Sequence, residues 1–156
     1  MNLEKLTALV QALNRENVDY ILFGGAAVNL HGLIRATEDF DFFVRPEPEN
    51  VRRIKKALRS LWDDPALDEI QDDDMIGEYP SFSYDPPGED FGLDFVSRLG
   101  DAFAFGDLES EIHDVQGVPV RLATPATLYR MKRDTVRPMD QRDAALLRER
   151  FTFPED

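Results

Sequence analysis

Leu3, Leu6, Val10 and Leu13 recur at helical spacing behind Asn2, a good N-cap residue, so the pattern predicts a first helix with one apolar face. Tyr20-Ile21-Leu22-Phe23 follows as a continuous apolar run too short for a helix, which reads as a buried strand. Gly24-Gly25 ends that run, and Ala26 to His31 predicts a brief helix stopped by Gly32. A second strand is expected over Asp39 to Val44, broken by Pro46 and Pro48. Val51, Ile54, Leu58 and Leu61 then mark an amphipathic helix.

Residues 63–74 hold seven acids in twelve positions and predict a solvated loop, because the glycine and ligand spacing of a calcium hand are missing. Ser81 to Tyr84 and Phe91 to Val96 flank Asp85-Pro86-Pro87-Gly88-Glu89-Asp90, a turn sequence that predicts an antiparallel hairpin. Val118 to Leu122 reads as an edge strand, since Pro119 cannot donate to a central ladder. Thr124 with Pro125 opens a helix carrying Leu128, Met131 and Lys132, and a last helix follows Pro138 with Asp140 as its expected cap. Strands and helices mix without strict alternation, so the fold class is α/β (α+β), a mixed sheet with helices packed on it. The length of 156 residues fits one domain, residues 1–156, with 124–150 as a C-terminal helical segment.

Composition narrows the chemistry. The chain has no cysteine, which excludes disulfides and thiolate metal sites. No run reaches transmembrane length and the N-terminus lacks the apolar stretch of a signal peptide, so the expectation is a cytoplasmic protein without a membrane partner. A net charge of −13 weighs against a broad nucleic-acid surface, but the charge is uneven. Residues 1–120 carry 10 basic and 25 acidic side chains, whereas residues 121–150 carry 8 basic and 4 acidic. A basic C-terminal segment facing an acidic centre would suit a polyphosphate substrate, and ordinary helix surface charge accounts for it equally well. Arg52, Arg53, Lys55, Lys56 and Arg59 could grip RNA phosphates, yet their spacing around Val51, Ile54 and Leu58 fits the wet side of a helix.

The densest chemical signal is Glu38-Asp39-Phe40-Asp41-Phe42-Phe43. On a strand, residues i and i+2 share a face, so Asp39 and Asp41 would stand side by side among apolar neighbours. Two such carboxylates raise each other's pKa unless a cation compensates them, and a hard divalent ion such as Mg²⁺ takes oxygen ligands of this kind. Gly24-Gly25, between a strand and a helix, would let a phosphate approach the backbone. Asp94 lies in the apolar run Phe91-Gly92-Leu93-Asp94-Phe95-Val96, where burial without a partner is costly, so it should face a metal or an arginine; a strand-edge acid facing water is the other reading. Two-ion chemistry needs such a third carboxylate. Glu78, Asp85, Glu89 and Asp90 compete for that place from solvated surroundings. His31 could line the pocket or simply pack, and His113 reads as surface.

Taken in order, Gly24-Gly25, then Arg35-Ala36-Thr37-Glu38-Asp39-Phe40-Asp41-Phe42-Phe43-Val44, then Asp94 resembles the polymerase-β-type nucleotidyltransferase superfamily. The Arg-x-Thr-x-Asp-x-Asp form is similar to the AbiEii/AbiGii-like branch of bacterial toxin-type nucleotidyltransferases. Lys132 and Arg137-Pro138-Met139-Asp140-Gln141-Arg142-Asp143 resemble that branch's helix lysine and its following Arg/Lys-Asp-x-x-Asp segment. The resemblance spans residues 20–147 and implies a minimal nucleotidyltransferase fold. It implies that Asp39, Asp41 and Asp94 are catalytic and hold two Mg²⁺ ions. Gly24, Gly25 and Lys132 would meet the NTP phosphates, and Arg35 and Thr37 would shape the nucleotide pocket. The implied reaction moves an NMP from an NTP to an acceptor hydroxyl, with the tRNA 3′ end favoured and a small molecule or a protein as other acceptors. A cognate antitoxin or toxin would be the protein partner. The rival reading is a non-catalytic, partner-binding member of a toxin–antitoxin or resistance module; a metal-dependent phosphohydrolase is a weaker third. Gly25 stands where many relatives have serine, which leaves backbone amides to hold the triphosphate, and Asp140 and Asp143 receive no role.

Overall fold

The computed structural model describes every residue except 34, 78–79, 100–102 and 154–156. Helix α1 (Leu3–Arg15) starts where the sequence places it, with the Asn2 side chain accepting from the Lys5 amide. Strand β1 (Tyr20–Phe23) runs directly into α2 (Gly24–Leu30), so the two glycines form the first turn of that helix rather than a spacer before it. Strand β2 (Phe40–Val44) leads to α3 (Pro48–Leu61), and Pro48 at the first position suits a helix start because its missing N–H has no partner there. The expected hairpin is present as β3 (Ser81–Tyr84) and β4 (Leu93–Val96). A small ribbon, β5 (Arg98–Leu99) and β6 (Phe103–Ala104), precedes β7 (Ser110–Val115) and β8 (Val118–Ala123). Helices α4 (Pro125–Arg133) and α5 (Pro138–Arg150) close the chain.

Six strands make one mixed sheet in the order β3-β4-β2-β1-β8-β7. Strand β2 lies between β1, antiparallel, and β4, parallel. Side chains alternate across a strand. Tyr20 and Phe42 meet edge to face at 5.8 Å and share their side of the sheet with α1, because the Tyr20 hydroxyl donates to Asn14 Oδ1 at 3.0 Å. Phe42 also stacks on Phe95 at 5.4 Å. Asp41 and Phe43 therefore point to the opposite side, where Phe23 meets Phe43 at 5.8 Å. On the first side Asn50 bolts α3 to the strand ends, accepting from the Asp19 amide at 2.8 Å and donating to the Asp19 and Arg45 carbonyls at 3.0 and 3.1 Å.

Three expectations need correction. Strand β8 is interior, with β7 beyond it as the edge. Pro119 is tolerated because β1 pairs with β8 only at Leu22↔Leu122, so no ladder bond is required of it on that side. The backbone facing β1 there is served by side chains instead, with Asn14 donating to the Pro119 carbonyl at 2.8 Å and the Arg121 amide donating to Tyr20 at 3.3 Å. Asp140 is not the cap of α5; Arg137 takes that position and Asp140 lies buried in the first turn. The acid-rich stretch is more than a solvated loop, since a short 3₁₀ helix at Pro65–Glu69 buries Leu67, with Ile70 and Met75 buried after it. Its acids also answer the basic face of α3, Asp72 pairing with Arg52 and Asp68 with Arg59, while Glu49 of α3 itself pairs with Arg52. That basic run is thereby a neutralised helix surface, and exposed pairs of this kind contribute little stability each.

Candidate active site

The sheet register does the first part of the assembly. Asp41 in β2 stands opposite Asp94 in β4, and Ser83 in β3 stands opposite Asp94 on its other side. The Ser83 hydroxyl donates to Asp94 Oδ1. Asp41 and Asp94 hydrogen-bond to each other, and burial, followed by the charge and hydrogen bond of Asp94 and the charge of Asp39, pushes the Asp41 carboxyl up to about 7. Lys132 opposes that shift. A proton is thus held where two carboxylates would otherwise repel each other in a half-buried site.

Asp39 lies just before β2 and is exposed; its Oδ1 accepts from the Gly92 amide at 2.8 Å. Asp85 reaches the same spot, for a Cβ on Gly92 would come within 2.8 Å of Asp85 Oδ1 and 3.3 Å of Asp39 Oδ1. Gly92 and Asp85 therefore neighbour Asp39, and Asp85 is exposed, as its polar surroundings in the sequence suggest. Glu78, another of the competitors, lies outside the described residues.

Gly24 and Gly25 leave little room for a Cβ unless neighbouring side chains move. Gly24 has φ +69°, and a Cβ there would sit 2.1 Å from Asp41 Oδ2. A Cβ on Gly25 would sit 2.3 Å from Arg35 Nη1 and 3.0 Å from Thr37 Oγ1. The glycine turn is where the Asp41 carboxylate, the Arg35 guanidinium and the Thr37 hydroxyl converge on the backbone. Gly24→Ala is expected to cost about 1–3 kcal/mol from left-handed backbone strain and to push the Asp41 carboxylate aside. A lowered thermal midpoint together with weaker Mg²⁺-dependent NTP binding by calorimetry checks both effects.

One cation, Lys132, arrives from α4 and another, Arg35, from the segment between α2 and β2. Lys132 is buried, its Nζ 2.8 Å from Asp143 Oδ2 and 3.3 Å from Asp140 Oδ1. Arg35 Nε donates to both Asp143 oxygens at 3.0 and 3.1 Å, and its Nη1 donates to the Ala36 carbonyl at 2.6 Å. Asp143, fully buried, is the shared acceptor of both cations. The sequence held the signal for this in the i,i+3 spacing of Asp140 and Asp143, which puts both on one helix face opposite Lys132. Gly24, Gly25, Arg35, Thr37, Asp39, Asp41, Asp94 and Lys132 all line one open cleft of about 1170 Å³, and Arg130, Arg133 and Arg137 from the basic segment line it too. His31 is not in it; its side chain is buried elsewhere and packs edge to face on His113 at 5.1 Å.

A mixed sheet with a glycine turn at the end of β1 and acids at the paired ends of β2 and β4 is a nucleotidyltransferase-like fold. In agreement, the chain superposes with a TM-score of 0.60 on an antigenic nucleotidyltransferase-like protein from Paracoccidioides brasiliensis, at 20% identity over 93% of this chain and 74% of that one. The match shows the fold alone. The family model described as "Nucleotidyl transferase AbiEii toxin, Type IV TA system" matches residues 5–145, and the chain belongs to that family. No curated protein matches it. Among the described residues, no helix is long and apolar enough to cross a membrane.

Proposed function

We propose that the chain is a metal-dependent nucleotidyltransferase that moves an NMP from an NTP to an acceptor hydroxyl, as the toxin component of a two-protein module. The observation that carries this reading is the Asp41–Asp94 pair, two carboxylates held in register on adjacent strands beside a glycine turn where a Cβ would crowd the Asp41 carboxylate. The donor set is all oxygen, which fits Mg²⁺, and the proton held on Asp41 marks the deficit of positive charge that a divalent cation would supply. Asp41 and Asp94 would hold such ions with Asp39, whose carboxylate would turn from the Gly92 amide. When bound, the ions supply charge neutralisation for the attacking and leaving oxygens.

The chain's own groups set the rest. The Gly24 and Gly25 backbone gives the triphosphate a surface with no Cβ in the way. Lys132 presents its ammonium to the phosphates from a fixed place, because Asp143 and Asp140 hold it. Arg35 and Thr37 close the pocket over the glycine turn. Asp94 is positioned to take the acceptor hydroxyl's proton, and Ser83 orients it. Arg130, Arg133 and Arg137 on the cleft wall fit a phosphate-bearing acceptor, for which the tRNA 3′ end is the favoured candidate over a small molecule or a protein side chain. A cognate antitoxin is the expected protein partner, and the cytoplasm its compartment.

Incubation with each labelled NTP, Mg²⁺ and total tRNA is expected to label RNA with one preferred nucleotide. Label on a small acceptor or on protein would keep the transferase and replace the acceptor. No label on any of the three, with no Mg²⁺-dependent NTP binding by calorimetry, would overturn the enzyme reading in favour of a partner-binding role.

A further inference from the structure

Away from the cleft, α2 ends at His31 and β7 carries Glu111 and His113 on one face, being i and i+2 on a strand. One ring nitrogen from each imidazole and one Glu111 carboxylate oxygen all lie within 4.8 Å of one another. The pairwise contacts are His31 Nδ1 to Glu111 Oε1 at 3.6 Å and His113 Nε2 to the same oxygen at 2.9 Å. Ligand atoms around a tetrahedral zinc, with bonds near 2.0–2.1 Å, are roughly 3.3 Å apart, so these two distances bracket what such an ion requires.

His31 is prepared for the role. Its side chain is 3% exposed, and its Nε2 lies 2.8 Å from the Ala123 carbonyl oxygen. A carbonyl only accepts, so Nε2 carries the proton and Nδ1 presents its lone pair toward Glu111 and His113. A metal-binding histidine characteristically has its second nitrogen fixed by such a carbonyl. The Phe151 ring, edge to face with His31 at 6.0 Å, walls the other side. Glu111 and His113 are 43% and 34% exposed, which gives an ion a path in and leaves a coordination position for water.

We infer that His31, Glu111 and His113 form a second metal site, separate from the nucleotide cleft and selective for zinc or a similar borderline transition ion. Two imidazoles and one carboxylate are donors that Zn²⁺ takes readily and that Mg²⁺, a hard oxygen-seeking ion, does not. Loading replaces the His113 Nε2 hydrogen bond to Glu111 by coordination, and the Nε2 proton leaves to Nδ1 or to solvent. The bound ion would pin the C-terminal end of α2, whose other end carries Gly24-Gly25, to the edge strand of the sheet.

The test is a Co²⁺ titration of the untagged chain in excess Mg²⁺, so that oxygen-lined sites are already filled. One equivalent is expected to produce the intense visible d–d bands of a four- or five-coordinate ion, and Zn²⁺ should displace it. Loss of even a supporting partner costs a metal site about 10–100-fold, so His113→Ala is expected to weaken binding by about 100-fold or more. His113 is half-exposed on an edge strand, so this variant should fold, which circular dichroism verifies; Glu111→Gln is the second variant, expected to weaken binding less. Asp41→Asn should leave the bands intact. The inference is overturned by absent bands, by octahedral bands only, or by bands that survive in His113→Ala or vanish in Asp41→Asn.

Discussion

Asp41→Asn should abolish transfer and at the same time make the metal-free protein more stable at pH 8. Activity is expected to fall at least about a thousandfold, the several kcal/mol that a metal-bound oxygen contributes to transition-state stabilisation. The stability gain follows from the direction of the Asp41 shift, from an ordinary 3.8 up to about 7, caused first by burial and then by Asp94 and Asp39. Between those values the folded chain keeps a proton that the unfolded chain has released. The carboxyl therefore weighs least on the fold below pH 4, and its stability contribution is lost as pH rises through 7. Asparagine cannot ionise, so the variant escapes a cost of at most about 4 kcal/mol at pH 8 and none at low pH. Urea unfolding in EDTA at pH 5 and pH 8 gives the answer. A variant less stable than the parent at pH 8, or with an identical pH slope, would mean that Asp41 is not the strained carboxyl of this site.

The second large effect is expected at a residue with no role in the chemistry. Asp143→Ala removes the acceptor that Arg35 and Lys132 share and leaves the buried Lys132 ammonium with the longer contact to Asp140 at 3.3 Å. Breaking a buried ion pair by deleting one partner costs about 3–5 kcal/mol, because a charge stays behind without compensation. In a chain of this size that is roughly a 10 °C fall in thermal midpoint. Differential scanning calorimetry would measure it, and a midpoint within a degree or two of the parent would show that Arg35 and Lys132 find other acceptors. Deleting an exposed acid such as Glu49, whose pairs with Arg52 and Arg53 lie on the surface, should change little by comparison.

Much of the architecture was legible because the residues concerned answer to local rules. Asn2, Thr124 and Pro125 announce helix starts by hydrogen-bonding chemistry, and the Pro-Pro-Gly turn announces the β3–β4 hairpin. Asp39, Asp41, Asp94, Gly24, Gly25, Arg35, Thr37 and Lys132, singled out across more than a hundred residues of sequence, all line one cleft. What escaped depends on distant contacts. Strand β7 alternates no apolar face, since Ser110-Glu111-Ile112-His113-Asp114-Val115 is polar on one side and leaves Ile112 exposed on the other, so it gave no period-two signal. His113 therefore read as isolated surface when it in fact lies against His31. Pro119 misled because its rule concerns the missing donor, and β1 asks for no donor at that point. Leu67, Ile70 and Met75 were hidden among acids whose partners lie on α3.

The single paired position between β1 and β8 has a mechanical meaning. It is a seam in the sheet. The carboxylates and the glycine turn ride on the β3-β4-β2-β1 side, whereas Lys132 and the arginines of the cleft wall hang from β8 through α4 and α5. Acid and base thus lie on the two sides of that seam, tied across it by Arg35 with Asp143, Asn14 with Pro119 and Tyr20 with Arg121. The relative placement of the acidic and basic groups of the cleft therefore rests on these side-chain ties and on the shared core, more than on a continuous ladder of backbone hydrogen bonds.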